Sequence, residues 1–151
     1  MMLYLKRTDS TDADFLHLVG FLDADLRLRD GDEHAFYAQF NKVDLIRHVV
    51  VAYQEGRAVG CGAIKPLEEA GTVEVKRMWV EPAARGHGIA TAVLAALEGW
   101  ARELGYARCI LETGKKQPEA IALYDKNGYE RIANYGQYLH VENSVCFGKP
   151  L

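Results

Sequence analysis

Arg85-Gly86-His87-Gly88-Ile89-Ala90 sets two glycines two residues apart, immediately before a helix-forming run. Glycine lets a backbone approach a ligand closely and turn its N–H groups towards it. A helix start adds unpaired N–H donors and a partial positive charge, which favours an anion such as a pyrophosphate. The expectation is a phosphate-bearing cofactor cradled by residues 85–91. Rival readings of the glycines are weaker. A dinucleotide fold wants G-x-G-x-x-G, yet Gly86 and Gly88 are followed by Thr91. A nucleotide P-loop needs G-x-x-x-x-G-K and then Ser or Thr, which the sequence lacks. The plainest alternative is a turn with no ligand.

The elements that must position this loop are legible from patterning. Residues 73–80 are rich in β-branched and aromatic side chains and read as a strand, stopped by Glu81-Pro82. Behind the loop, Ile89, Val93, Leu97, Trp100 and Leu104 share one helix face, and Gly105 stands where a left-handed cap belongs. Residues 108–113 form the next strand, so strand, helix and strand make a parallel crossover. Pro118 opens another helix that turns Ile121 and Tyr124 inward and ends at Gly128.

Upstream, residues 2–8 read as a strand. Ser10 or Thr11 caps a helix striped by Phe15, Leu18, Val19, Leu22 and Leu26. Asp30-Gly31-Asp32 breaks that helix before a short one at 34–41. Residues 48–54 and 58–65, joined by Glu55-Gly56-Arg57, form an antiparallel hairpin that continues as a meander into residues 73–80. Residues 129–133 and 144–149 complete the sheet. The expected fold class is α+β, a mixed, mostly antiparallel central sheet flanked by helices, in a single domain over residues 1–151.

Composition narrows the function classes. The chain has 151 residues, 49% of them hydrophobic and 26% charged, the profile of one ordinary globular domain. A formal net charge of −3 argues against a protein that holds nucleic acid electrostatically. No apolar run approaches the roughly 18 residues of a membrane helix. The N-terminus lacks the order of regions of a signal peptide, which points to the cytoplasm. Cys61, Cys109 and Cys146 are odd in number, lie in apolar segments and read as buried small hydrophobes. His17, His34, His48 and His140 have no partner at ligand spacing, so no metal is expected.

From Val59 onward, the order of elements and three stretches of sequence resemble the GNAT family of N-acetyltransferases. Residues 74–80 leading into Arg85-Gly86-His87-Gly88-Ile89-Ala90 are similar to its acetyl-CoA signature of Arg or Gln, two residues, Gly, one residue, then Gly or Ala. Gln117-Pro118-Glu119-Ala120-Ile121-Ala122-Leu123-Tyr124 looks like its second cofactor helix, ending in a tyrosine. Lys126-Asn127-Gly128-Tyr129 resembles the usual exit from that helix. The resemblance covers about the C-terminal two-thirds of the chain; the N-terminal third matches in element order. The family often has asparagine where this chain has Gln117.

The resemblance implies the site residues. The strand ending at Val80 would splay from residues 108–113, leaving backbone groups of Met78, Trp79 and Val80 to pair with the pantetheine arm of acetyl-CoA. Amides of Gly86, His87, Gly88, Ile89, Ala90 and Thr91 would hold the pyrophosphate, with charge from Arg85. Gln117 and Ala120 would add contacts from the second cofactor helix. The acceptor would be a primary amine of a small molecule or peptide, and the assembly is compatible with a homodimer.

An alkyl ammonium near a pKa of ~10.4 costs roughly 4–5 kcal/mol to neutralise at pH 7, so a group must take its proton. Glu74 stands where the family often places a carboxylate; alternatively it is a surface partner for Lys76, which shares its strand face. Tyr124 would donate to the departing sulfur, a transfer about 2 kcal/mol uphill if completed; alternatively it is a core tyrosine. Lys76 and Arg77 alternate along the strand, so only one is expected to face the acceptor. Residues 23–33 are acidic and suit a cationic amine or a solvated face. Tyr135 and Tyr138 border the acceptor site or pack. No residue reads as an acyl-carrying nucleophile, so attack would be direct, in a ternary complex. A non-catalytic acyl-CoA-binding module is the alternative, and a dinucleotide enzyme a weaker one.

Overall fold

The β-branched segments pair into one seven-stranded sheet in the computed structural model, which describes residues 2–31 and 45–151. The strands are β1 (Leu3–Thr8), β2 (His48–Gln54), β3 (Arg57–Pro66), β4 (Thr72–Val80), β5 (Arg108–Gly114), β6 (Glu130–Ile132) and β7 (Ser144–Pro150). Their spatial order is β1-β2-β3-β4-β5-β7-β6. Only β4 and β5 run parallel, because a helix must carry the chain back between them. The result is the expected α+β fold with a mixed sheet.

Helices cover both faces. On one face lies α1 (Ala13–Asp30), which buries Phe15, Leu18, Val19 and Leu22 against Val49, Val51, Cys61, Ala63 and Trp79. On the other lie α2 (Ile89–Glu103) and α3 (Pro118–Lys126). There Val93, Leu94 and Leu97 meet Val50, Val59, Val75, Leu111 and Phe147 in the larger core. Gly105 and Gly128 end these helices with φ of 89° and 85°, a conformation costly for any residue with a Cβ.

The cap of α1 corrects one expectation. Asp12, not Ser10 or Thr11, accepts from the Phe15 N–H, at 3.1 Å, and Lys6 holds the same carboxylate at 2.7 Å. The Ser10 hydroxyl instead accepts from the Ile46 N–H at 2.9 Å, fastening the start of α1 to the chain entering β2. The helix expected at 34–41 lies outside the described residues.

Two irregularities in β4 shape the site. Its parallel pairing with β5 covers only Thr72↔Arg108, Val73↔Cys109 and Glu74↔Ile110, after which the strands part. On its other edge β4 keeps pairing with β3, but the register slips: Ala63 faces Lys76 and Cys61 faces Trp79. Gly62 thus stands opposite both Arg77 and Met78, a β-bulge in which Arg77 takes φ of 59°. A Cβ on Gly62 would meet Met78 Sδ at 2.4 Å, so only glycine admits that side chain.

Candidate active site

Where β4 and β5 part, a cavity of about 500 Å³ opens between the strand ends, α1, the start of α2 and α3. Strand pairing that stops after Glu74 leaves the facing backbone of later residues available to an extended ligand arm. Met78, Trp79 and Val80 line the gap. The Val80 carbonyl accepts from Arg85 Nε at 2.8 Å, and the Arg85 guanidinium stacks 4.6 Å from the Trp79 ring centre.

One end of the cavity is made by the glycine loop. Gly86 and Gly88 have φ of 84° and 79°, and a Cβ built on either meets nothing within 4 Å. The loop therefore faces open space. Gly88 begins α2, and no side chain caps it. The first N–H groups of a helix have no intrahelical acceptor. Gly86, Gly88, Ile89, Ala90 and Thr91 all line the cavity, whereas His87 is exposed and outside the lining. The Thr91 hydroxyl accepts from Asn127 Nδ2 at 3.3 Å, joining the loop to the end of α3. An uncapped helix start, two unobstructed glycines and a cationic side chain form a donor set suited to a diphosphate.

From α3, Gln117, Ala120 and Tyr124 reach the same cavity. Tyr124 packs edge-on to Tyr129, ring centres 5.6 Å apart, and lies 5.9 Å from the Phe147 ring. Burial pushes its phenol above the ordinary tyrosine range, and the nearby Glu112 carboxylate adds to the shift. A phenol so placed keeps its proton and offers it as a hydrogen bond.

The other end holds carboxylates. Glu74 lies in the wall with 5% exposure, not on the surface. Tyr135 donates to its Oε2 at 2.5 Å and Lys76 Nζ stands 3.3 Å from its Oε1. The ion pair with Lys76 thus exists, but inside the cavity. Lys76 and Arg77 both line it, which corrects the alternation argument: the bulge at Arg77 breaks the period of two. Arg77 Nη1 is held by Asp23 at 2.7 Å. Tyr138, buried, lines the cavity and packs edge-on to Tyr135 with ring centres 5.9 Å apart.

Sequence reasoning passed over Glu112. It lies on β5 across the gap, and its Oε2 is buried with no hydrogen-bond partner. Burial pushes its carboxyl up to about 7, helped by the charges of Glu74 and Asp30 and opposed by the Ser144 hydroxyl and Lys76. The available signal was a lone carboxylate inside the apolar run Cys109-Ile110-Leu111 and Thr113. Leu22, Asp25, Leu26 and Asp30 of α1 also line this end, which makes the first helix part of the site. The three cysteines are buried, and burial raises Cys61 to about 12 and both Cys109 and Cys146 to about 11, so none is a thiolate at neutral pH.

Comparisons with known proteins agree with this architecture. The model of the Acetyltransferase (GNAT) family matches residues 14–129. An IAA acetyltransferase of Azospirillum brasilense is 43% identical over 102 residues, 68% of this chain and 67% of that protein. An uncharacterized N-acetyltransferase of Escherichia coli, YjgM, is 45% identical over 85 residues, spanning 55% of this chain and half of its own length (50%). A crystal structure from Klebsiella pneumoniae, of a protein assigned as an acyl-CoA N-acyltransferase, superposes with a TM-score of 0.82 at 36% identity, covering 99% of this chain and 98% of that one. A Thermoplasma acidophilum PaiA N-acetyltransferase in complex with coenzyme A shares the fold, with a TM-score of 0.71 at 16% identity, covering 100% of both chains. The chain belongs to the GNAT acetyltransferase family, whose members move an acyl group from acyl-CoA to an amine.

Proposed function

We propose that this chain transfers the acetyl group of acetyl-CoA to a primary amine of a small molecule or peptide, by direct attack in a ternary complex. One observation carries the reading: a single cavity, opened by the parting of β4 from β5, joins an uncapped glycine helix start to a carboxylate with one buried, unpartnered oxygen, with Tyr124 in its wall. Bound acetyl-CoA supplies an acyl group activated as a thioester. The loop from Gly86 to Thr91 holds its diphosphate, assisted by Arg85, and the free edge of Met78 to Val80 aligns its arm. Gln117 and Ala120 close over it from α3.

The proton of the attacking amine goes to the carboxylate pair. A carboxyl raised to about 7 is a far better acceptor at neutral pH than an ordinary glutamate, so Glu112 takes the proton and Glu74 stands beside it as the partner anion. Tyr124 hydrogen-bonds the leaving sulfur; its raised proton affinity favours stabilising a thiolate over full proton transfer. No thiolate is present to carry the acyl group, which supports direct attack. The three buried free thiols also support a reducing, cytoplasmic setting.

Free thiol released from acetyl-CoA in the presence of a primary-amine panel tests the reading. Turnover with at least one amine is the expected outcome. Stabilisation by acetyl-CoA without release of thiol against any amine would leave a non-catalytic acyl-CoA-binding module.

A further inference from the structure

Glu74 has both of its oxygens occupied. Tyr135 donates to Oε2 at 2.5 Å, and Lys76 stands 3.3 Å from Oε1. Each Glu74 oxygen thus already spends a lone pair on a donor in place, one a phenol and the other an ammonium. Glu112, across the gap, is the reverse: its Oε2 is buried and unpartnered. Tyr135 lies on the connection between β6 and β7, where Asn134 Nδ2 also donates to the Val141 and Ser144 carbonyls at 3.1 and 3.3 Å. Its bond to Glu74 ties that connection to β4, bridging the strands on either side of β5.

We propose that Glu74 is a positioning residue rather than the proton acceptor: its bond to Tyr135 straps the connection between β6 and β7 to β4, and it shares the cavity wall with Glu112, on which it acts as a neighbouring carboxylate. This rests on the acetyl-transfer reading above and assigns the two carboxylates different work. The groups facing Glu112 are Asp30 from α1, Glu74 and Lys76 from β4, Tyr124 from α3, Tyr138 from the turn after β6, and Ser144 and Cys146 from β7. Of these, Glu74 and Lys76 form an ion pair of opposite effect on Glu112. Removing the Glu74 charge takes a neighbouring anion away from Glu112 and so favours its ionised form. Removing Lys76 does the opposite.

The test is a carbon-13 NMR titration of carboxyl-labelled glutamate in the full chain, with the Glu112 signal assigned by its loss in Glu112→Gln. Glu74→Gln should lower the midpoint by about half a unit or more, and Lys76→Met should raise it. Tyr135→Phe keeps both charges and should leave the midpoint in place while raising KM for the amine. The acid limb of the kcat/KM profile should follow the same order. An unmoved or raised midpoint in Glu74→Gln overturns the proposal. Should that variant fail to fold, an unmoved midpoint in Lys76→Met overturns it instead. Because the titration needs no turnover, failure here is distinct from failure of the transfer reading, which is marked by absent thiol release with every amine.

Discussion

Replacing Gly88 by valine separates the glycine loop's structural role from its ligand role, because the same change can be made at the far end of the same helix. Gly88 and Gly105 bracket α2 with φ of 79° and 89°, and a Cβ built on either meets nothing within 4 Å. Steric overlap with the protein is therefore absent at both, and the cost to folding is the left-handed backbone, about 1–2 kcal/mol for a residue with a Cβ. For a chain of this size each kcal/mol lowers Tm by roughly 2–4 °C, so both variants should melt about 2–8 °C below the parent. The ligand response should differ. Coenzyme A at about 100 times its Kd stabilises the parent by about 2.7 kcal/mol, or roughly 5–11 °C. Gly105→Val should keep that increment, since Gly105 lies outside the cavity lining. Gly88→Val should lose it, because the added methyls occupy the open side of the loop that the diphosphate must approach. Thermal melts with and without coenzyme A, followed by calorimetric titration, read both quantities. Equal increments in the two variants, whether both kept or both lost, would refute the assignment of the loop.

Tyr124→Phe should lower kcat by about 10-fold or more while leaving coenzyme A affinity unchanged, since the ring keeps its contacts with Tyr129 and Phe147; an unaltered rate removes the hydroxyl from the chemistry. Glu112→Gln should abolish the near-neutral ionisation in the kcat/KM profile. It should also raise stability at alkaline pH: a carboxyl lifted from 4.5 to about 7 in the folded chain binds its proton more tightly there than when unfolded. Its charged form therefore destabilises the fold progressively from about pH 4.5 to 7, by on the order of 3 kcal/mol. Melts of Glu112→Gln and parent should coincide below pH 4.5 and diverge above pH 7, and parallel curves would show that the carboxyl is not perturbed. Asp12→Ala should cost about 1–2 kcal/mol through loss of the cap on α1, seen as a fall in Tm of roughly 2–8 °C without loss of coenzyme A binding.

The parts of the fold that were legible are those fixed by neighbours in sequence. The turn Glu55-Gly56-Arg57 dictates an antiparallel β2–β3 pair, and the structure has it, with strand ends within about a residue of those expected. The stripe from Ile89 to Leu97 needs no tertiary information to be recognised as one face of α2, nor do Gly105 and Gly128 as its and α3's terminators. The cap of α1 falls on Asp12 rather than on the expected Ser10 or Thr11 because the choice among neighbouring oxygen-bearing side chains is tertiary. Ser10 is drawn away by the Ile46 N–H, while Lys6 and the Phe15 N–H converge on Asp12.

The bulge at Arg77 marks the limit of the same logic in the site. Alternation along residues 74–80 assigns Lys76 and Arg77 to opposite faces, and nothing within that segment contradicts it. The contradiction comes from β3, where Gly62 admits the Met78 side chain and lets one residue face two. Both cations then line the cavity, each with a carboxylate: Lys76 beside Glu74 and Arg77 beside Asp23. Glu112 escaped notice for a related reason. Its type and its apolar strand were visible, but its proton affinity depends on Glu74, Asp30, Lys76 and Ser144, drawn from three elements remote in sequence. A backbone cradle made by six consecutive residues can be read from a line of letters. A proton acceptor whose charge is set by groups from α1, β4 and β7 becomes visible only when the sheet brings those groups together.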